Sequence, residues 1–214
     1  VALDGGIIVV GADDDDDGGT DSGSAYIFRT DDGGATYGQV AKLTAADAAA
    51  DDSFGGSADG GSVATDGQKV VVGAYDNDDA GSDSGSAYVF ALPASSPAPT
   101  VAPTAFPLHA ETDKMLASDG AASDWFGVSV AAAGDLVALG APRHKTDAGA
   151  VYVFRTSDGG ATYGQVAKLT ASDAAAGDSF GVSVAIDGDT IVVGARFAGT
   201  GGAVYVFRTT DGGA

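Results

Sequence analysis

The stretch DSFGVSVAIDGDTIVVGARFAGTGGAVYVFR, residues 178–208, decides the fold because its pieces recur along the chain. Phe-Gly pairs begin at residues 54, 126 and 180, and Gly-Ala pairs follow apolar runs at residues 11, 73, 140 and 194. An aromatic segment recurs around Tyr26, Tyr88, Tyr152 and Tyr205, which gives a repeating unit of 53 to 64 residues. A period of this size predicts a propeller or another array of repeats.

Each unit divides into four segments with the character of β-strands. In the clearest copy, FGVSVA leads to a hairpin signal at Asp187-Gly188, and TIVVGA and GAVYVFR are apolar on both sides. The fourth segment, YGQVAKLT, carries Lys42 or Lys168 in its middle, where a lysine protects an outer edge from pairing with other chains.

A sheet that is apolar on both faces must be covered by neighbouring sheets. We therefore predict an all-β, β-propeller-like array of four-stranded antiparallel blades, with about four units that are incomplete at both ends. An open stack of blades would satisfy the same requirement. The predicted organisation is blades at residues 1–90, an insertion at 91–117, and further blades at 118–214.

Charge and composition restrict the partners. The net charge is -20 with only ten Lys and Arg, which argues against nucleic acid, and all 30 acidic residues except Glu111 are Asp, a residue that favours turns over helices. There is no cysteine and no apolar run long enough to span a membrane. The charge indicates either a role for cations or simply protection against aggregation.

The order of Phe-Gly, a valine-rich strand and Val-Val-Gly-Ala, complete as Gly-Ala-Pro at residues 140–142, resembles the FG-GAP repeat of integrin alpha-subunit heads. The resemblance implies blades of a β-propeller, commonly seven to a ring, in an extracellular or cell-surface protein. In that family the calcium loop usually lies between the Phe-Gly strand and the Gly-Ala-Pro strand. Here that connection is the short hairpin IDGD or TDGQ, which leaves no room for a metal site.

The next loop is a better candidate for Ca²⁺. It reads D-x-D-x-D-G-x-x-D, with carboxylates at alternate positions and a glycine for the bend, as a hard cation requires. The predicted ligands in this first loop are Asp13, Asp15, Asp17 and Asp21, and those in the equivalent second loop are Asp76, Asp78 and Asp83. A solvated acidic loop without a metal is the alternative.

The insertion at residues 91–117 contains five of the six prolines, interleaved with hydroxyl residues. Proline-rich segments with Ser and Thr are typical of O-glycosylated stretches, although an unmodified linker has the same composition. The predicted glycosylation sites are Ser95, Ser96, Thr100 and Thr104.

Nothing in the sequence favours catalysis. The two histidines, His109 and His144, fall in no repeated position, and no G-x-S-x-G segment supports a nucleophilic serine. We expect no enzyme activity.

Three functions remain, of which the third, an enzyme domain on a propeller, is the one that the sequence favours least. The first is an extracellular structural or adhesive repeat protein that self-assembles through its blade edges into oligomers or filaments, glycosylated and stabilised by calcium. The alternative is an integrin-like or lectin-like module that binds a protein or carbohydrate ligand through its variable loops. In both cases the expected location is extracellular or at the cell surface.

Overall fold

A computed structural model describes residues 1–56, 61–92 and 110–208, and within them the chain forms four antiparallel sheets. Sheet 1 contains β1 (Ala2–Asp4), β2 (Ile7–Ala12), β3 (Ser24–Arg29) and β4 (Gly38–Leu43). Sheet 2 contains β5 (Val63–Thr65), β6 (Lys69–Ala74), β7 (Ser86–Ala91) and β8 (Glu111–Met115). Sheet 3 contains β9 (Ser129–Ala133), β10 (Leu136–Ala141), β11 (Ala150–Arg155) and β12 (Gly164–Leu169). Sheet 4 contains β13 (Phe180–Asp187), β14 (Thr190–Ala195) and β15 (Ala203–Arg208), and one short helical turn, α1 (His144–Asp147), lies within sheet 3's loops.

Every sheet is a meander in which consecutive strands are hydrogen-bonded neighbours. The predicted hairpin of the fourth unit joins β13 and β14, where Asp187 pairs with Thr190 and Gly188 adopts a φ of 51°. The pairing of the third and fourth strands is interrupted at the same place in each four-stranded sheet, for example between Val89 and Phe90. The all-β array of blade-like sheets predicted from the repeats is therefore confirmed.

The inner strands are covered on both faces, as their composition predicts. All six residues of β6 and all six of β10 are buried, whereas β15 alternates between half-buried and exposed positions. Three apolar clusters account for this burial, and they lie between sheets 1 and 2, between sheets 2 and 3, and between sheets 3 and 4. The four sheets are thus stacked in series.

The Phe of each Phe-Gly pair fills the apolar cluster between the preceding sheet and the sheet that the pair leads into. Phe54 packs edge-on against Tyr88 and Phe90, with ring centroids 5.5 and 6.0 Å apart. Phe126 and Phe180 make the same pair of contacts with the aromatic residues of β11 and β15. This edge-on geometry is the one favoured by aromatic rings, and it explains why the three aromatic positions recur together.

The prediction that Phe-Gly opens the first strand holds only for the fourth unit. Phe180 begins β13, but Phe54 lies before β5 and forms isolated bridges with Gly23 and Ala74, and Phe126 lies before β9. The reason is that this Phe belongs to the connection between sheets, where its backbone pairs with the preceding loop. The Phe54 N–H donates to the Ser22 carbonyl at 3.1 Å.

The glycine of Gly-Ala is required where adjacent sheets meet. A Cβ on Gly73 would overlap the backbone carbonyl of Gly127, and Gly11 stands in the same relation to Gly55. The second strand of one sheet is therefore crossed at close range by the Phe-Gly segment that leads to the next sheet. No other residue type fits this crossing without displacing backbone.

The predicted insertion at 91–117 overlaps sheet 2 at both ends. Ala91 is the last residue of β7, and Glu111–Met115 forms β8, the outer strand of that sheet. The four predicted glycosylation sites and His109 lie outside the described residues.

Candidate functional site

The variable loops between the second and third strands of the four sheets, together with the connections that enter each sheet, form what we call the loop end. The loops are residues 13–23, 75–85, 142–149 and 196–202. Sequence comparison of the units aligns Asp15, Asn77, His144 and Ala198 at one position, three residues beyond the alanine of Gly-Ala.

At the loop end, an aspartate in the connection that follows one sheet accepts hydrogen bonds from side chains of the next sheet. Asp47, which follows sheet 1, accepts a hydrogen bond from the Tyr88 hydroxyl at 2.9 Å and from the Lys114 ammonium at 2.5 Å. Both donors belong to sheet 2. Lys114 also pairs with Asp79 and lies 5.0 Å from the centroid of the Tyr88 ring.

The same arrangement recurs at the following junctions. Asp119 accepts from the Tyr152 hydroxyl at 2.8 Å and from Lys168 at 2.5 Å, and Asp173 accepts from the Tyr205 hydroxyl at 2.8 Å. The sequence analysis did not identify these aspartates. Their signal is the recurrence of LTAAD, MLASD and LTASD, in which the Asp stands four residues after the last apolar residue of the outer strand.

In sheet 1 the corresponding partner comes from the first loop. Asp15 accepts from the Tyr26 hydroxyl at 2.8 Å and from the Lys42 ammonium at 2.9 Å, and Lys42 also pairs with Asp17. The hydrogen bonds from Lys42 and Tyr26 lower the pKa of Asp15 to about 2. Lys42 and Lys168 do lie in outer strands as predicted, but their ammonium groups are engaged by carboxylates of the loop end.

The predicted calcium ligands of the first loop are therefore arranged around a lysine. Two of them, Asp15 and Asp17, contact Lys42, while the backbone N–H of Asp21 donates to Asp16 at 2.9 Å. Burial and the charges of Asp14 and Asp16 raise the pKa of Asp21, as expected for crowded carboxylates. Asp13 is not one of the two carboxylates that contact Lys42.

In the second loop the predicted ligands also have separate partners. Asp76 accepts from the Ser53 hydroxyl at 3.2 Å, and Asp78 accepts from the backbone N–H of Asp83 at 2.8 Å. Across residues 1–56, 61–92 and 110–208, no three His, Asp or Glu side chains are grouped to hold a metal ion. This arrangement does not fit a calcium cage, and calcium binding stays a prediction that requires Lys42 to move.

His144 lies in a repeated position after all, the one occupied by Asp15 and Asn77. It is buried, its Nδ1 is 2.8 Å from the Asp124 carboxylate, and its Nε2 is 2.7 Å from the Lys168 ammonium. Since an ammonium can only donate, Nε2 is the acceptor and Nδ1 carries the proton given to Asp124. Nε2, the ring nitrogen that would serve as a general base, thus accepts a hydrogen bond from Lys168. The signal in the sequence is the spacing of three residues from the alanine of Gly-Ala, which His144 shares with Asp15 and Asn77.

A cleft of about 440 Å³ opens between the third and fourth loops. Its lining includes two arginines and two aromatic residues, Trp125, Arg143, Arg196 and Phe197. The Arg143 guanidinium lies 3.3 Å from the Trp125 ring centroid, and Phe197 is 60% exposed. Asp147 lines the same cleft, so two arginines, one aspartate and two aromatic side chains are brought together there.

The outer face of sheet 4 is uncovered in this structure. Val204 and Val206 of β15 are 70% and 60% exposed, whereas Val151 and Val153 at the same positions of β11 are 0% and 5% exposed beneath sheet 4. On sheet 1, the face that points away from sheet 2 carries Tyr26 and Phe28, and both side chains are only half-buried.

The stacked meanders, the recurring aspartate ties and the Phe-Gly crossings define a protein built from serial β-blades. The family model for the FG-GAP repeat matches residues 1–28, 37–90, 110–154 and 163–207, so the chain belongs to the FG-GAP repeat family. A comparison with curated proteins gave no match. Among the described residues, no helix is both long and apolar enough to cross a membrane.

Proposed function

We propose that this chain is a structural or adhesive FG-GAP blade module that associates head-to-tail with copies of itself. The observation that carries the proposal is the contrast between the exposed Val204 and Val206 and their buried equivalents Val151 and Val153. The face of β15 that is exposed on sheet 4 is the face that in β11 lies buried between two sheets.

The chain itself supplies the complementary surface. At every internal junction, the small β-branched face of one sheet packs against the aromatic face of the next, as Val151 and Val153 do against Phe180 and the strands beside it. Sheet 1 presents an aromatic face of this kind, with Tyr26 and Phe28, on its outer side. A second copy placed with sheet 1 on sheet 4 would repeat the Tyr and Phe contacts of the three internal interfaces, although residues 1–28 bring no Phe-Gly pair to it.

The energetics favour such a contact. Full burial of one valine side chain stabilises an interface by about 1.5 to 3 kcal/mol, and two of the exposed valines lie side by side on β15. The contact uses different surfaces on the two copies. It therefore builds an open filament unless the rotation between copies closes a ring.

The family supports the proposed setting. FG-GAP repeats are typical of extracellular and cell-surface proteins. We place this chain there, where the predicted glycosylation and calcium binding would also occur.

Sedimentation over a range of concentrations tests the assembly. We expect the protein to form larger species as concentration rises, and the double variant Val204→Asn, Val206→Asn to remain monomeric. The control is Val166→Asn, because Val166 is 56% exposed on β12 of sheet 3, away from the outer face. A wild-type protein that stays monomeric at millimolar concentration, or a control that dissociates equally, would overturn the proposal.

The cleft at the loop end favours a second function, binding of an anionic ligand. Phe197 offers an exposed ring, and the positive charges of Arg143 and Arg196 beside it outnumber the single negative charge of Asp147. Binding of acidic glycans on an array, lost in Phe197→Ala, would support this function. Equal binding by that variant would oppose it.

A further inference from the structure

The residue before each Phe-Gly pair has the same backbone conformation at all three junctions between sheets. Ser53, Trp125 and Ser179 occupy this position, with φ of 55°, 59° and 55°. Between sheets 2 and 3, Trp125 fills the space on both sides: the Tyr75 ring packs against it edge-on with centroids 5.5 Å apart, and the Arg143 guanidinium lies 3.3 Å from its ring centroid. That junction is therefore closed by a row of three large side chains.

Between sheets 3 and 4 the same three positions hold Pro142, Ser179 and Phe197. The Phe197 N–H donates to the Asp178 carbonyl at 3.1 Å, and the Arg143 N–H makes the equivalent bond at the preceding junction. With a serine where the indole stands, the space stays open as the cleft of about 440 Å³, which all three residues line. The opening is thus a property of an internal junction and depends on one residue.

Arg143 gives this cleft a positive charge that is available to a ligand. Among the described residues, four lysines form ion pairs with carboxylates, namely Lys42, Lys69, Lys114 and Lys168. Within the same part of the chain, no carboxylate forms an ion pair with Arg143, whose guanidinium lies over Trp125 instead. Contact with an aromatic face leaves the N–H donors at the edge of the guanidinium, where they match the two oxygens of a carboxylate.

The net charge of the cleft is small. Asp147 lines it together with Arg143, and the positive charge of Arg143 also opposes the rise in the pKa of Asp76 that burial causes. The whole chain carries a net charge of -20. A ligand with many negative charges would therefore be repelled by most of the protein, whereas a single carboxylate can pair with Arg143.

On the basis of the anionic-ligand binding proposed above for this cleft, we propose that its ligand is a uronic acid, a sugar ring that carries one carboxylate. The ring lies over Ser179, in the space that an indole fills at the preceding junction, with its C–H face against the exposed Phe197. The carboxylate accepts hydrogen bonds from the Arg143 guanidinium. Arg196 is itself engaged on the Phe197 ring, 5.1 Å from its centroid, and takes no part in the contact.

The single tryptophan of the chain lines this cleft, so its fluorescence reports on binding there. We expect methyl β-D-glucuronide to change the Trp125 fluorescence saturably. The neutral methyl β-D-glucoside should bind about tenfold more weakly, because it lacks the charge-assisted hydrogen bonds. By calorimetry, Arg143→Gln should bind both sugars equally, and the control Arg155→Gln, at the end of β11, should keep the difference.

Closing the cleft is the second test. Ser179→Trp places there the side chain that the chain already carries with nearly the same φ at Trp125. We expect this variant to melt at the temperature of wild type or above it and to lose glucuronide binding in calorimetry. The matched control is Ser172→Trp, at an exposed position outside the lining of the cleft, which should bind as wild type does.

Two results would overturn the uronic acid assignment: equal glucuronide binding by Ser179→Trp and wild type, or equal binding of the two sugars by wild type. If wild type ignores the glucuronide but binds another acidic glycan on an array, and loses it in Phe197→Ala, the assignment is wrong and the anionic-ligand function stands. If wild type binds no acidic ligand, that function fails as well.

Discussion

The Asp47 carboxylate accepts a hydrogen bond from the Tyr88 hydroxyl at 2.9 Å, although Asp47 lies in the connection after sheet 1 and Tyr88 lies in sheet 2, 41 positions further on. Tyr88 is fully buried, so without this carboxylate its hydroxyl would be an unsatisfied hydrogen-bond donor. The contact ties the connection that leaves sheet 1 to the middle of sheet 2. Equivalent ties at Asp119 and Asp173 make the array a chain of linked sheets.

Removing this tie should destabilise the fold. We expect Asp47→Ala to lower the free energy of unfolding by about 2 kcal/mol, because the buried Tyr88 hydroxyl loses its acceptor and Lys114 keeps only Asp79 of its two carboxylate partners. The control is Asp173→Ala, whose partner Tyr205 is only half-buried and should cost about 0.5 kcal/mol. Urea unfolding measures both, and equal losses would contradict the role of burial.

The tie at Asp119 should make stability depend on acid pH. The hydrogen bond from Lys168 lowers the pKa of Asp119 below its ordinary value of 3.8. A lowered pKa in the folded state contributes stability that is present above the unfolded pKa and is lost as the pH falls through the folded pKa.

We therefore expect Asp119→Asn to be less stable than wild type at about pH 7 and nearly equal to it at about pH 2.5. Denaturant unfolding at the two pH values gives the difference. The corresponding variant Asp135→Asn, at an exposed turn, is the control for the loss of a surface carboxylate. A stability gap that is as large in acid as at neutral pH would contradict this account.

Lys42 should compete with calcium at the first loop. Replacing it in Lys42→Gln leaves the Asp15 and Asp17 carboxylates without their cation, and we expect Ca²⁺ affinity measured by calorimetry to rise about tenfold. Lys168→Gln is the control, since Lys168 contacts a single carboxylate group, Asp119, beside His144. No saturable heat in any of the three proteins would remove calcium from the first loop.

The glycine crossing gives a stringent packing test. Gly73→Ala should cost about 3 kcal/mol or prevent folding, because its Cβ would overlap the Gly127 carbonyl. Gly38→Ala is the matched control, since a Cβ at Gly38 in β4 would meet nothing within 4 Å. Thermal unfolding of the two variants should differ clearly. A tolerated Gly73→Ala would show that the sheets can separate at this crossing.

The mass of the intact protein tests the predicted glycosylation. Protein secreted by a eukaryotic host should exceed the polypeptide mass of 20.7 kDa, and the excess should disappear when Ser95, Ser96, Thr100 and Thr104 are all replaced by alanine. A secreted wild-type protein with the bare mass would rule out the modification in that host.

Much of the fold was predictable because it depends on local pattern. The period of the Gly-Ala and aromatic segments gave the number of sheets, and strands apolar on both faces required stacking. The boundary of the first strand was not predictable for Phe54 and Phe126. Their Phe-Gly pairs look like strand residues, but they are needed in the crossing between sheets.

The sequence by itself determined that these strands form antiparallel sheets that must be covered on both sides, because alternation and turn signals act over a few residues. Only the tertiary structure decided which charges meet. Lys114 reaches Asp47 across 67 positions, and His144 reaches Asp124 across 20. Such contacts depend on how neighbouring sheets are rotated and spaced, and no local pattern records that geometry.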